Sequence, residues 1–476
     1  MIAGMVDVVE GAEGEGLLTG WPEEIVGLDE RVPLLDGTLR RYVNLDNAAS
    51  APPFVAAQDA INRFAPWYAS VHRGTGFKSQ LSTHVFEAAR AAVARFVGTD
   101  TESHVVVFVK NTTEALNKLS HVLGADGTLV YTTIMEHHAN MLPWRVWAGG
   151  GVRFIATDAE GSLDMEDLER QLAAAPTDRP RLVAVAGAYN VTGYTPPIHA
   201  IARLAHRYGA RLLVDGAQLV PHQPVNMCGS GPDDAIDFLV FSAHKLYAPY
   251  GAGVLVAPRG AFHGLPDQLG GGIVDLVTLE NVVWTEVPER EEAGSPNVIG
   301  VVALYAAIEK LTQLGMANVA RHEQALTDYA LGRLAEVPGL RVLGPQTTTA
   351  RVGVMSFVLP AISHTLVAAI LSYEWAIGVR AGCFCAHPGM AHLLGVSPAD
   401  MASLEQQILQ HEKFAVPGAT RASLALYNSP ADVDSLVEAL KAIADGHYAG
   451  KYRLDRATNE YTPEGWNPGF EKYFSI

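Results

Sequence analysis

Cysteine is scarce in this chain. Three thiols in 476 residues, Cys228, Cys383 and Cys385, cannot build a disulfide framework, and such a count suits a reducing compartment. Positive charge is short as well. Lys and Arg number 34 against 51 Asp and Glu, a formal net charge of −17, which excludes a general nucleic-acid or anionic-membrane surface. No uninterrupted apolar run is long enough to span a bilayer. Met1 to Gly20 is acidic and glycine-rich and lacks the basic and apolar regions of a signal peptide. Internal repeats and low-complexity blocks are also missing. These absences lead to the expectation of a soluble, cytoplasmic protein.

What is present is a large apolar inventory. Hydrophobic residues make up 49% and charged residues 18%, which suits a globular enzyme and is too apolar for a disordered chain. The length leaves room for two or three domains. Residues 1–40 read as an irregular arm. Apolar runs at Tyr42–Asp46, His104–Val109, Thr128–Thr132, Val152–Thr157, Arg181–Ala186, Arg211–Val214, Phe238–Phe241 and Val254–Ala257 predict strands. Several are separated by helical patterns such as Ile198 to Tyr208, stopped by Gly209. Strands apolar on both faces that alternate with helices imply a mostly parallel α/β sheet covered on both sides. Ligands in such folds bind at the carboxyl ends of the strands.

After about residue 300 the texture changes to a smaller α+β domain. Val301, Leu304, Tyr305, Ile308 and Leu311 make one helical face, and Ser429-Pro430 starts another helix. The expected division is an arm over 1–40, a large domain over 41–300, a small domain over 301–446 and an extension over 447–476.

Polar clusters fall where the strands end. Lys245 closes the run Phe238-Leu-Val-Phe-Ser-Ala-His-Lys245. A lysine there is solvated, paired, or lowered in pKa and able to form a Schiff base with a carbonyl. Lys110-Asn-Thr-Thr-Glu114 joins a strand to a helix, a place for a phosphate or simply a capped helix. Asp215 ends Leu212-Leu-Val-Asp215; it would cap the next helix or hold a cation such as a pyridinium. In Met135-Glu-His-His-Ala-Asn140, one histidine could stack on a flat cofactor, or the pair could be structural. Cys383-Phe-Cys-Ala-His387 reads as an exposed reactive thiol, a buried inert one, or a zinc site with unusual spacing. Arg421 suits a substrate carboxylate or plain solvent.

The order and spacing of these pieces resemble the class V aminotransferase family of pyridoxal-phosphate enzymes, within it the branch of cysteine desulfurases and selenocysteine lyases. The resemblance runs from about Tyr42 to Ile443. It rests on Leu45-Asp-Asn-Ala-Ala-Ser50, Val71-His-Arg-Gly74, Asn111-Thr-Thr-Glu114, Met135-Glu-His-His-Ala-Asn140, Val214-Asp-Gly-Ala-Gln218, Phe241-Ser-Ala-His-Lys245, Ala293-Gly-Ser-Pro-Asn297, Arg380–Pro388 and Arg421-Ala-Ser-Leu. It implies the fold type I of pyridoxal-phosphate-dependent transferases, with a mostly parallel seven-stranded sheet in the large domain.

The resemblance also implies roles. Lys245 would carry the cofactor, Asp215 would pair with the pyridine nitrogen, Gln218 would bond the phenolic oxygen and His137 would stack on the ring. Thr112, Thr113, Ser242 and His244 would hold the phosphate, and Ser295 would reach the phosphate of a neighbouring subunit in a homodimer. Asn190 and Arg421 would hold the substrate carboxylate, with His72 and Arg73 also at the substrate. Cys385 would take the sulfur of L-cysteine as a persulfide, leaving L-alanine, and pass it to an acceptor, which could be a protein. No metal is implied.

The chain departs from the family pattern at Glu291, where an aromatic is usual, and at Cys383-Phe384, where two histidines are usual. The stretch Gly389 to Thr420 is longer than usual and reads as a lid or partner surface. These departures keep alternatives open: a selenocysteine or cysteine-conjugate lyase, an epimerase of the family, or a non-catalytic scaffold.

Overall fold

Along the strand Phe238–Ser242, Phe238 and Val240 enter one apolar core while Leu239 and Phe241 enter another. Successive strand side chains point to opposite faces, so a run apolar at every position demands cover on both sides. The same division occurs on neighbouring strands, with Leu213 and Val107 in one core and Leu212, Val214 and Val106 in the other. These facts come from a computed structural model, which describes residues 24–347, 349–410 and 416–476.

The central sheet has seven strands in the spatial order His104–Val109, Gly253–Pro258, Phe238–Ser242, Arg211–Asp215, Arg181–Ala186, Leu129–Thr133 and Val152–Ile155. Only Gly253–Pro258 runs antiparallel to its neighbours; the other pairings are parallel. The expected α/β architecture with a mostly parallel seven-stranded sheet is therefore observed. His104–Val109 and Arg181–Ala186 have the limits read from the sequence, and the other central strands differ by one or two residues.

Register brings the polar strand ends together. Asp215 lies opposite Ala186 and Val240, and Ser242 opposite Gly253. At Gly253 a Cβ would come within 2.9 Å of three Asn111 backbone atoms. Glycine there lets the turn before the helix Thr112–Gly124 close onto the sheet.

The C-terminal portion has a second, antiparallel sheet in the order Arg341–Val342, Val354–Val358, Ala419–Ser423 and Arg380–Gly382. Helices His364–Trp375 and Pro430–Ala444 contribute to its core through Val367, Ile370, Val433 and Leu440. At the start of the second helix the Asp432 carboxylate accepts Ser429 N–H at 3.0 Å, the half of a capping box in which the third helical residue reaches back. Val43–Asn44 pairs with Ile377–Gly378, and Val43 and Leu45 join this core. The chain thus visits the C-terminal portion before it builds the large sheet.

Three stretches carry more regular structure than their sequence reading specified. The arm is not irregular throughout: Arg31–Pro33 and Leu39–Arg41 form a hairpin. Its Asp36-Gly37 pair, with Gly37 at φ 81°, is a turn signal that was legible. The lower arm, residues 1–23, lies outside the described residues. The stretch from Gly389 onward contains the end of the helix His387–Leu394 and all of Pro398–Leu409, while 411–415 lie outside the described residues. The tail folds as a hairpin, Tyr452–Asp455 with Glu460–Pro463, and Tyr452 donates to Glu374 of the His364–Trp375 helix at 2.7 Å.

Among the described residues no single helix is long and apolar enough to cross a membrane. Helices Val298–Leu314 and Met316–Leu334 pass a length and composition test only as a pair bent by 78°, and Val301, Leu304, Ile308 and Leu326 are buried in the protein's own cores.

Candidate active site

The strand ends and the C-terminal portion enclose a cavity of about 320 Å³, whose lining includes Thr112, Thr113, His137, Asn190, Asp215, Gln218, Ser242, His244, Lys245, Cys385 and Arg421. Eleven positions singled out in the sequence therefore converge on one space.

Lys245 ends the short helical turn that follows the Phe238–Ser242 strand. Burial pulls its amine down to about 8, against the opposing pull of Asp215, so roughly a tenth is neutral and nucleophilic at pH 7, far more than for a free lysine. Asp215 is buried, accepts Ala217 N–H at 3.0 Å, and has no ion-pair partner among the described residues. Burial raises its pKa. A buried carboxylate without a cation is costly, and a ring nitrogen that carries a proton would relieve that cost. Gln218 donates to Ala48 O at 2.6 Å and leaves its Oε1 without a partner.

Thr112 opens the helix Thr112–Gly124, with Asn111 as cap accepting Glu114 N–H. Ser242 Oγ accepts Thr112 N–H at 2.8 Å and lies 2.7 Å from Thr112 Oγ1. The Thr113 N–H, the first-turn donor that none of these bonds uses, stands beside two threonine hydroxyls and a serine, a set that suits a phosphate. His137 Nδ1 accepts Ala139 N–H at 3.1 Å, and burial lowers its pKa to about 4. It is a neutral ring, fit to stack on a flat ligand. Its neighbour Glu136 is fully buried, hydrogen-bonded by Thr133 and Asn140, and raised to about 8 by burial. These residues fit pyridoxal phosphate: a pyridine partner, a phosphate cradle, a stacking ring and an amine of lowered pKa share one cavity.

Arg421 lies opposite Arg380 in the C-terminal sheet. Two cations side by side need an anion between them, and Asp46 supplies it. Arg380 contacts both Asp46 oxygens at 2.8 to 3.1 Å, and Arg421 Nη2 reaches Oδ1 at 3.3 Å. Arg421 is buried and also donates to Asn190 O at 3.0 Å, while its Nε has no partner. Burial pulls its pKa to about 10, so it stays charged at neutral pH. A buried guanidinium with an unused donor is prepared for an anionic ligand.

Cys385 is exposed and stands in a turn in which Ala386 N–H bonds Cys383 O at 3.0 Å. The central residues Phe384 and Cys385 both have φ 55°. Two left-handed non-glycine residues in succession cost on the order of 1 kcal/mol or more each, and contacts from elsewhere compensate. His138 N–H bonds Cys385 O at 2.7 Å and Asn190 Nδ2 bonds Phe384 O at 2.6 Å. Cys383 packs against the apolar cluster of Met135, Tyr189 and Leu393, and burial pushes its thiol up to about 11. It offers little thiolate, unlike what a redox partner for Cys385 would need. His138 and His387 stack at 4.9 Å. Among the described residues no three His, Cys, Asp or Glu side chains are grouped to hold a metal.

Two expected substrate residues, His72 and Arg73, do not line this cavity, nor does Ser295, which was expected to serve a neighbouring subunit. His72 pairs with Glu87 at 3.1 Å, and Arg73 donates to the carbonyls of Gly272 and Val274. Both line a separate cavity of about 210 Å³ together with Ser295. Glu291 is buried and paired with Lys118 at 3.0 Å, so an ion pair occupies the place where an aromatic was the family expectation. Sequence reasoning assigned no role to Asp46 or Phe384. Asp46 sat within a recognised motif, but only the register of Arg380 with Arg421 shows what it neutralises.

Fold and cavity together define an α/β enzyme with a lysine at the end of a buried strand and a thiol at the rim. The sequence profile of the family described as Aminotransferase class-V matches residues 43–436; the chain belongs to that family. It is 33% identical to a protein named "Probable cysteine desulfurase" from Streptomyces coelicolor, over 86% of this chain and 95% of that one. It is 37% identical to a cysteine desulfurase of Yersinia pseudotuberculosis, over 87% and 98%. The solved apo structure of the cysteine desulfurase of Thermococcus onnurineus matches with a TM-score of 0.75 at 32% identity, covering 85% of this chain and 95% of that one.

Proposed function

We propose that this chain is a pyridoxal-phosphate-dependent cysteine desulfurase that converts L-cysteine to L-alanine and keeps the sulfur as a persulfide on Cys385. The observation that carries this reading is the convergence of Lys245, Asp215 and Cys385 on one cavity. The likeness to proteins named cysteine desulfurase over most of the chain supports it.

Pyridoxal phosphate, when bound, supplies a carbonyl carbon for an amine and a ring that delocalises negative charge from the substrate Cα. Thr112, Thr113, Ser242 and His244 would hold its phosphate, His137 would cover one face, and Gln218 would serve the phenolic oxygen. Asp215 would keep a proton on the ring nitrogen. Arg421 and the second amide hydrogen of Asn190 would receive the substrate carboxylate.

The Lys245 amine would take the proton from the substrate Cα. The Cys385 thiolate would attack the substrate sulfur. A sulfur–sulfur bond forms and the substrate's carbon–sulfur bond breaks. The electron pair stays on Cβ, which is protonated to the methyl group, and Lys245 would return its proton to Cα to complete alanine. The persulfide would then pass its outer sulfur to an acceptor thiol, and an exposed Cys385 leaves room for an acceptor protein.

The reading includes a homodimer. His72, Arg73 and Ser295 would serve the cavity of the second copy; their grouping apart from Lys245 supports this. A cytoplasmic, reducing setting suits an enzyme whose three cysteines are all free.

The test is to incubate the pyridoxal-phosphate-loaded protein with L-cysteine and to quantify L-alanine and protein-bound persulfide. Equimolar alanine, with persulfide lost in Cys385→Ala, is expected. Pyruvate and ammonia in place of alanine would establish a carbon–sulfur lyase instead.

A further inference from the structure

Phe384 lies between the two groups that must cooperate in sulfur transfer, and the roles given above leave it unexplained. Its ring sits under the Arg421 guanidinium, with Cζ 4.7 Å from the centroid. The ring is almost wholly buried and belongs to an apolar cluster with Met135, Tyr189 and Leu393. Its carbonyl accepts the Asn190 amide, while the Asn190 carbonyl accepts Arg421 Nη1. Its backbone is left-handed, and so is that of Cys385, the next residue.

We propose that Phe384 is a positioning residue that ties the orientation of Arg421 to the placement of the Cys385 thiol, the sulfur half of this role resting on the desulfurase reading.

The guanidinium plane is fixed on its edges by Asp46 and Asn190 and on one face by the ring. A cation held over a desolvated aromatic face gains attraction that an aliphatic side chain cannot supply. With those positions taken, the unpartnered Nε remains for a carboxylate. The same ring, anchored in its cluster, holds the backbone in a conformation that phenylalanine avoids in isolation. A residue that packed less firmly would let the turn relax, and the thiol would leave its place at the rim. One side chain therefore sets the distance between the group that holds the substrate carboxylate and the group that meets its sulfur.

The test uses the holoenzyme and two variants. Phe384→Leu fills the apolar site and keeps the same backbone demand, but has no aromatic face. In it the KM for L-cysteine rises about tenfold, as expected for a lost cation–ring contact, and kcat falls about threefold. Phe384→Tyr restores the face and brings both constants back to within about twofold. In an Arg421→Lys background, Phe384→Leu adds less than about twofold, because the two residues act as a unit.

A second readout is the rate at which iodoacetamide modifies Cys385, followed by peptide mass mapping with Cys228 as internal reference. It rises about threefold in Phe384→Leu as the turn loosens. Unchanged KM and kcat in Phe384→Leu, with the parent active, overturn the proposal. If the parent makes no alanine, the desulfurase reading fails instead. Equal Cys385 modification in parent and Phe384→Leu then overturns the positioning role.

Discussion

Asp215, Ser242 and Lys245 stand at or just beyond the ends of strands that are buried throughout except at Arg211, and a parallel sheet delivers them to one side. Cys385 and Phe384 stand in a turn of unfavourable backbone geometry, held by Asn190, His138 and Arg421 from three other parts of the chain. The floor of the cavity is thus secured by hydrogen-bonded ladders and two apolar cores. The rim is secured by a few side-chain contacts that compensate local strain. A floor of the first kind holds a cofactor rigidly. A rim of the second kind depends on a few side-chain contacts and is open to change by single substitutions.

The largest effect that sharpens this contrast is expected from Lys245→Ala. Alanine production should fall at least about 10³-fold, and mixing with pyridoxal phosphate should give no lysine-bound absorbance band near the visible edge. Cys385→Ser should match that loss in persulfide formation yet keep the parent's absorbance spectrum. A spectrum lost in Cys385→Ser would break the division between floor and rim.

Arg421→Lys comes next. It keeps the charge but loses the planar fork and the stacking face, so KM for L-cysteine should rise about tenfold while the spectrum persists. Steady-state kinetics on the loaded protein decides this.

The smallest effect concerns the floor's support. Burial raises Glu136 from 4.5 to about 8, so the folded protein binds that proton more tightly than the unfolded chain does. The stabilisation it gives is full below about pH 4.5 and is lost as pH rises through 8. Glu136→Gln cannot titrate. Its melting temperature relative to the parent should therefore climb by roughly a few degrees between pH 5 and pH 8, as read in thermal scans. A constant difference across that range would show that Glu136 does not titrate as described.

The contrast also explains what could be read from residues alone. The strand Arg181–Ala186 has the limits expected from its apolar run, and Ser429-Pro430 starts a helix as its capping signals imply. Both depend on local pattern, which the sequence carries directly. The helix Phe77–Phe96 escaped notice because its apolar stripe is narrow and interrupted by Ser79, Ser82 and Thr83. Asp46 escaped because its partners are more than 330 positions away. His72 and Arg73 were grouped with Lys245 by resemblance, whereas within one chain they cluster with Ser295, the residue expected to serve a neighbouring subunit.

By itself the sequence determined the buried strands, the helix starts and the set of residue types able to manage an imine-forming cofactor, because periodicity, capping and side-chain chemistry are properties of neighbours along the chain. Tertiary structure decided which cations share Asp46, that Cys383 is packed away while Cys385 is presented, and that Phe384 lies under Arg421. Those outcomes depend on strand register and on contacts between distant segments, and no local pattern encodes either.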